Sequence, residues 1–121
     1  MVFLDTCILI DYSKDKITIK DEDKQNYCFS SIVQLEFTAG ALNKRELKKI
    51  NRILSEFKSI DADQDILDLA IELVNSYALS HNMTIYDAII AATCLIYDIP
   101  LWTYNKKDFR YLKELKLILE K

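Results

Sequence analysis

Short runs of consecutive apolar residues alternate along this chain with longer stretches in which apolar residues recur every three or four positions. The first kind predicts buried strands and the second predicts helices. Val2-Phe3-Leu4 reads as a strand that stops at Asp5-Thr6, after which Ile8, Leu9 and Tyr12 return at helical spacing. The charged stretch from Ser13 to Asn26, with a brief Ile17-Thr18-Ile19 alternation, predicts a loop or a short helix. Tyr27-Cys28-Phe29 predicts a second strand; Ser30 and Ser31 are suitable N-caps for a helix over Ile32–Leu42, with Gly40 and Asn43 near its end. Lys44–Phe57 gathers Leu47, Ile50, Ile53, Leu54 and Phe57 on one face with lysines and arginines opposite. After Ser59-Ile60-Asp61 the same pattern recurs from Asp63 to His81, and Thr84 opens a helix that runs to about Tyr97. Pro100-Leu101-Trp102-Thr103 predicts a strand entered by a proline, then a polar turn from Asn105 to Phe109, and Leu115–Leu119 predicts a final edge strand.

Strands of this kind alternating with helices imply an α/β fold, with a mostly parallel sheet covered by helices on both faces. At 121 residues, half of them hydrophobic, the chain can bury one core, so a single domain over 1–121 is expected. One glycine and one proline are too few for an all-β protein built on tight turns. The apolar stretch Ala88–Tyr97 is too short to span a bilayer, and Met1-Val2-Phe3-Leu4 meets Asp5 without a basic leader; a cytoplasmic protein that does not engage membranes is expected. Cys7, Cys28 and Cys94 are an odd number, far apart and each within an apolar run, which predicts buried thiols rather than a disulfide or a zinc site.

Four carboxylates stand where the pattern discourages a charge, or directly after a strand. On a helical projection of 32–42, Glu36 falls in the middle of a broad arc of Leu42, Leu35, Ala39, Ile32, Gly40, Val33 and Phe37, while Gln34 and Thr38 mark the wet side. Asp87 fits a capping box with Thr84, which alone would explain it; the near absence of polar residues from Ile85 to Tyr97 predicts a helix buried all round, whose first turn, and so its acid, is buried or lies at a cleft. Asp5 follows the first strand, where either it or Thr6 can cap the next helix, and Asn105 and Asp108 lie in the turn after the last predicted strand. In an open α/β sheet these strand ends border the functional crevice, so the four acids can converge there. Acids crowded into a partly dry crevice require a cation. Net charge is −3; with the four acids set aside, 16 basic residues face 15 acidic ones, so general attraction to phosphate backbones is weak.

Four ordered blocks carry a family resemblance: Asp5-Thr6-Cys7-Ile8-Leu9-Ile10-Asp11, Ser30 to Gly40, Asp87-Ala88-Ile89-Ile90-Ala91-Ala92-Thr93 and Thr103-Tyr104-Asn105-Lys106-Lys107-Asp108-Phe109. Together they resemble the PIN domain, and specifically the VapC-like toxin ribonucleases of toxin–antitoxin pairs, over essentially the whole chain. The resemblance implies a PIN-like three-layer α/β/α fold and an acidic metal cluster of Asp5, Glu36, Asp87 and Asp108, supported by Thr6, Thr103 and Asn105. It also implies an RNA substrate, an antitoxin whose basic side chain enters the crevice, and a homodimer formed through apolar helix faces. Cys7 departs from the Asn or Ser usual in the family at a position that orients the neighbouring aspartate, and Asp11 is given a supporting role.

Hard oxygen ligands without histidine or thiolate point to Mg²⁺ or Mn²⁺. Hydrolysis by water to 5′-phosphate and 3′-hydroxyl ends is expected, because His81 is the only histidine and a route through the RNA 2′-hydroxyl normally needs an acid–base pair. Lys106, Lys107 and Arg110 are candidate phosphate contacts, with a solvated turn as their ordinary alternative. The rival readings are a phospho-acceptor signalling domain, disfavoured because the second acid lies inside a helix, and a catalytically inactive PIN-like binding module. A phosphatase of the haloacid dehalogenase type would require Asp-x-Asp where Asp5-Thr6-Cys7 stands.

Overall fold

A computed structural model describes residues 1–118. Among these, four parallel strands form the central sheet: β1 (Val2–Leu4), β2 (Tyr27–Ser30), β3 (Lys58–Ile60) and β4 (Leu101–Trp102), in the order β3-β2-β1-β4. The helices are α1 (Thr6–Ser13), α2 (Ser31–Ala39), α3 (Lys44–Leu54), α4 (Gln64–His81) and α5 (Ile85–Tyr97), with 3₁₀ segments at Asp21–Asn26 and Lys106–Asp108. This is the α/β sheet-and-helix architecture expected from the pattern. Phe3, Leu4 and Cys28 on the sheet, Ile8 and Leu9 on α1 and Ala88–Ala92 on α5 meet in one core. Consecutive apolar residues are required here because strands of a covered parallel sheet are buried on both faces.

Strand order determines where a site can form. The chain begins on the central strand β1, steps outward through β2 to β3, then crosses back through α4 and α5 to place β4 on the other side of β1. The connections therefore diverge between β1 and β4, and a crevice opens beyond the carboxyl ends of those two strands. Asp5 and Thr103 are the residues that follow them.

Local details differ from the expectation: the helix expected over Ile32–Leu42 is Ser31–Ala39, and the strand expected over Pro100–Thr103 is Leu101–Trp102. Lys58–Ile60 is an edge strand, although its polar, exposed composition lacked any strand signal. The helix expected over Lys44–Phe57 stops at Leu54, and Phe57 enters the core from the turn that follows. The C-terminal segment makes one parallel bridge, Leu117 to Leu101, rather than a full strand, and Leu119 of the expected strand lies outside the described residues. With one glycine available, the left-handed positions that end α4 and α5 fall to Asn82 (φ 54°) and Asp98 (φ 52°), residue types that tolerate this conformation. Gly40, by contrast, ends α2 at φ −79°.

Candidate active site

Asp5 is the most constrained acid in the crevice. It is only 6% exposed, and its extended backbone makes it the N-cap of α1, with Oδ1 accepting the Thr6 N–H at 2.7 Å. Of the two caps open from sequence, the structure thus uses Asp5. Oδ2 accepts the Thr103 hydroxyl at 2.6 Å and faces the Cys7 thiol at 3.8 Å, so both oxygens are held. Thr103, itself 1% exposed, also accepts the Asn105 N–H at 3.0 Å, tying the turn after β4 to the same carboxylate. Burial raises the Asp5 pKa, opposed by the hydrogen bonds from Thr103, Thr6 and Cys7, while the Asp108 charge raises it further.

Glu36 is held from the other side of the same turn: Thr6 donates its hydroxyl to Oε1 at 3.0 Å. Its pKa is raised by partial burial, lowered by Thr6, and raised by the charges of Asp5 and Asp87. The helical projection that singles out Glu36 is nevertheless wrong in part. The apolar arc does not face the core: Leu35 and Leu42 are 64% and 86% exposed, and only Val33 and Phe37 of that arc are buried. Thr38, expected on the wet side, has a buried hydroxyl without a partner among the described residues. Glu36 is half-buried because α1 approaches it through Thr6, not because of its own helix.

Asp87 does cap α5 together with Thr84, whose hydroxyl accepts the Asp87 N–H at 3.1 Å. Its pKa is also raised, by burial first and then by the charges of Asp108 and Asp5 against the help of Thr84. The helix is not buried all round, as its composition suggested: Ala88–Cys94 are buried, whereas Ile85 and Tyr86 in the first turn are 70% and 48% exposed. Asp87 therefore lies at the open mouth of the crevice. Asp108 is exposed in the 3₁₀ turn after β4, together with Lys107 and Arg110, while Lys106 is partly covered.

The four acids thus share one electrostatic neighbourhood, in which Asp5 feels Asp108, Glu36 feels Asp5 and Asp87, and Asp87 feels Asp5 and Asp108. They do not touch. Among the described residues no group of three or more His, Cys, Asp or Glu side chains is gathered closely enough to hold a metal ion as the side chains stand. The physical reason is visible in their partners: the carboxylates of Asp5 and Glu36 each accept a threonine hydroxyl and that of Asp87 is hydrogen-bonded to Thr84, and like charges gain by staying apart. The donor chemistry, four carboxylates with no imidazole and no thiolate ligand, fits a hard cation such as Mg²⁺ or Mn²⁺.

Cys7 stands where the resemblance puts a residue that orients the aspartate, and Tyr111 gains a role that sequence reasoning missed. The Cys7 thiol has its pKa raised by burial and by the Asp5 charge, so it keeps its proton and serves as a donor toward Asp5. Tyr111 stacks on His81, with ring centroids 4.0 Å apart; its hydroxyl is buried without a partner among the described residues and feels the charges of Asp87 and Asp108. Nothing in the local pattern around Tyr111 signals this. Asp11 accepts the Tyr104 hydroxyl at 2.9 Å, which pins the turn after β4 to α1.

The PIN domain family model matches residues 2–115. Ribonuclease VapC1 of Methanocaldococcus jannaschii is 31% identical over 118 residues, covering 96% of this chain and 84% of that protein. Ribonuclease VapC of Rickettsia bellii is 25% identical, covering 97% and 94%. Among solved structures, the DNA-bound VapBC of Salmonella typhimurium superposes with a TM-score of 0.83 at 21% identity, covering 98% of each chain. A toxin–antitoxin complex from Klebsiella pneumoniae superposes at 0.75 with 25% identity, covering 98% of this chain and 96% of that one.

Proposed function

This chain belongs to the PIN domain family, and from that membership we propose that it is a metal-dependent endoribonuclease, the toxin of a toxin–antitoxin pair, acting as a single domain over 1–121. The observation that carries the reading is Asp5: a carboxylate 6% exposed at the topological switch point, both oxygens oriented, with three further acids within electrostatic reach and no basic side chain paired with it among the described residues. Burying an acid among like charges costs stability. Such an arrangement is sustained by function. Relatives named ribonuclease VapC at 25–31% identity support the reaction class.

Asp5, Glu36, Asp87 and Asp108 would hold Mg²⁺ or Mn²⁺. When bound, the ion supplies charge neutralisation at the phosphodiester and a more acidic water. The chain's own contribution is orientation. Thr103 and the Thr6 N–H fix the Asp5 carboxylate, the Thr6 hydroxyl fixes Glu36, and Thr84 holds Asp87 at the mouth. Asn105 supports Thr103 through its backbone. A histidine pair for transfer through the 2′-hydroxyl is missing from the chain, since His81 stands alone and is occupied by Ser80 and Tyr111, so 5′-phosphate and 3′-hydroxyl ends are the products. Lys106, Lys107 and Arg110 beside Asp108 take substrate phosphates. The substrate is RNA with an exposed single-stranded loop, whose bases can be splayed into an open crevice.

The toxin assignment brings two partners. The toxin–antitoxin complex of similar fold supports a cognate antitoxin as partner, and the antitoxin is proposed to cover the crevice with a basic side chain among the acids. A second copy docks on apolar helix surface, of which Ile71 and Leu79 on α4, 59% and fully exposed, are examples. No helix among the described residues is long and apolar enough to cross a membrane.

Incubating the purified protein with single-stranded RNA in Mg²⁺ or Mn²⁺ tests the reading. Cleavage that EDTA and Asp5→Asn both abolish, leaving 5′-phosphate ends, is expected. Cleavage that persists in EDTA, or labelling of Asp5 by acetyl phosphate, would overturn it.

A further inference from the structure

Three of the four acids are each served by a hydroxyl: Thr103 donates to Asp5, Thr6 donates to Glu36, and Thr84 is hydrogen-bonded to Asp87. Asp108 has no such hydroxyl among the described residues. Three positions further on, Tyr111 shows the converse, with a hydroxyl oxygen that is fully covered by protein and hydrogen-bonded to nothing among the described residues. A covered polar group normally finds a partner, because an unmade bond does not repay the hydration it gave up.

Ring packing does not account for that hydroxyl. The Tyr111 ring stacks on His81 with centroids 4.0 Å apart and 20° between the planes, and it meets Tyr77 at 5.0 Å, contacts that a phenylalanine would make equally well. His81 closes α4 and Thr84 opens α5, so the ring is clamped beside the segment that presents Asp87. Its own segment presents Asp108. From Lys106 to Leu112 the backbone is wound by bonds three residues long, Phe109 N–H to the Lys106 carbonyl and Leu112 N–H to the Phe109 carbonyl, and in such a winding residues three apart share a side. Phe109 and Leu112 accordingly turn into the core together, which leaves Asp108 and Tyr111 as the neighbouring pair. Burial raises the Tyr111 pKa first, and the charges of Asp87 and then Asp108 raise it further, so the hydroxyl keeps its proton and lies within electrostatic reach of both acids. We propose that Tyr111 is a positioning residue of the acidic site, whose hydroxyl donates to the Asp108 carboxylate when that acid joins Asp87 around a divalent cation. Asp87 is the poorer acceptor, since Thr84 already serves it. The inference deepens the metal-dependent reading and rests on it. It gives the fourth acid the hydroxyl that the other three already have.

The test is a Mn²⁺ titration of the whole chain, followed by electron paramagnetic resonance of the free ion, which reads affinity without RNA or turnover. Tyr111→Phe keeps the ring and removes the hydroxyl. It is expected to weaken Mn²⁺ binding about tenfold, the lower end of what losing a group that orients a metal ligand costs. Its thermal midpoint in EDTA should be no lower than the parent's, because no bond among the described residues is lost. In an Asp108→Asn background the same change should alter Mn²⁺ affinity little, since the two side chains act as one unit. Parent-like affinity in Tyr111→Phe would overturn the inference, and so would a lowered midpoint in EDTA with affinity unchanged, which would make the hydroxyl purely structural. A weakening just as large in the Asp108→Asn background would also overturn it, by showing that the hydroxyl serves another acid. The parent separates the two failures: a parent that takes up no Mn²⁺ strikes the metal-dependent reading and the inference with it, whereas a parent that binds Mn²⁺ no better than Tyr111→Phe strikes the role of Tyr111 alone.

Discussion

The Thr103 hydroxyl donates to Oδ2 of Asp5 at 2.6 Å, joining residues 98 positions apart at the ends of two adjacent parallel strands. Neither residue alone signals a site: one is a helix cap and the other the last polar residue before a turn. The bond exists because β1 and β4 are neighbours, and they are neighbours because the chain reverses its direction of progress across the sheet between them.

Thr103→Val should keep the shape of the side chain while removing that donor and the acceptor used by the Asn105 N–H. The loss is expected to be about 1–3 kcal/mol, the range for leaving a buried partner unsatisfied. Chemical denaturation measures it, and RNA cleavage should fall with it. Thr103→Ser, which retains the hydroxyl, should recover most of both.

Cys7 offers Asp5 a long, weak donor contact at 3.8 Å. Cys7→Ser should replace it with a stronger hydroxyl donor and preserve cleavage within a few-fold, while Cys7→Ala should lower kcat with little change in KM. Equal kinetics for the serine and alanine variants would show that the thiol does not orient the carboxylate.

The Cys28 thiol is raised to about 11 from 9.0, chiefly by burial beside β1. A raised pKa in the folded state means that the native protein holds this proton more tightly than the unfolded chain. The associated stability is complete below pH 9 and is lost as pH climbs through about 11. Unfolding free energy should therefore decline over this window with a slope approaching about 1.4 kcal/mol per pH unit per thiol. Cys28→Ala should start from lower stability but show a shallower alkaline limb; Cys94, whose pKa is also raised by burial, contributes the remainder.

Gly40→Ala should stabilise the protein. The residue sits at φ −79°, and an added Cβ would meet only the Phe37 and Glu36 carbonyl oxygens at 3.5 and 3.6 Å, ordinary contacts. Reduced freedom in the unfolded chain is then expected to contribute about 0.4–1 kcal/mol. A lower thermal midpoint would show that the cap needs glycine.

Much of the fold was legible in the sequence because burial imposes periodicity. The runs at 2–4 and 27–29 and the middle of 100–103 became strands, and Asp63 and Thr84 open α4 and α5, whereas Asn43, expected near the end of α2, caps the start of α3. Lys58–Ile60 was illegible because an edge strand half in solvent has no need of an apolar run. Leu35 and Leu42 misled for the converse reason: an apolar side chain in the pattern need not face inward, and these two are exposed.

By itself, the order of residues determined that strands and helices alternate, that one core forms, and that acids follow the strands and open the helices, because local spacing sets which side chains share a face. Only the tertiary structure decided which strands lie side by side and that the hydroxyls of Thr6 and Thr103 hold Glu36 and Asp5. Those are relations across tens of residues. They depend on the direction in which each crossover returns to the sheet, a choice made by packing the whole core at once and encoded in no single stretch of chain.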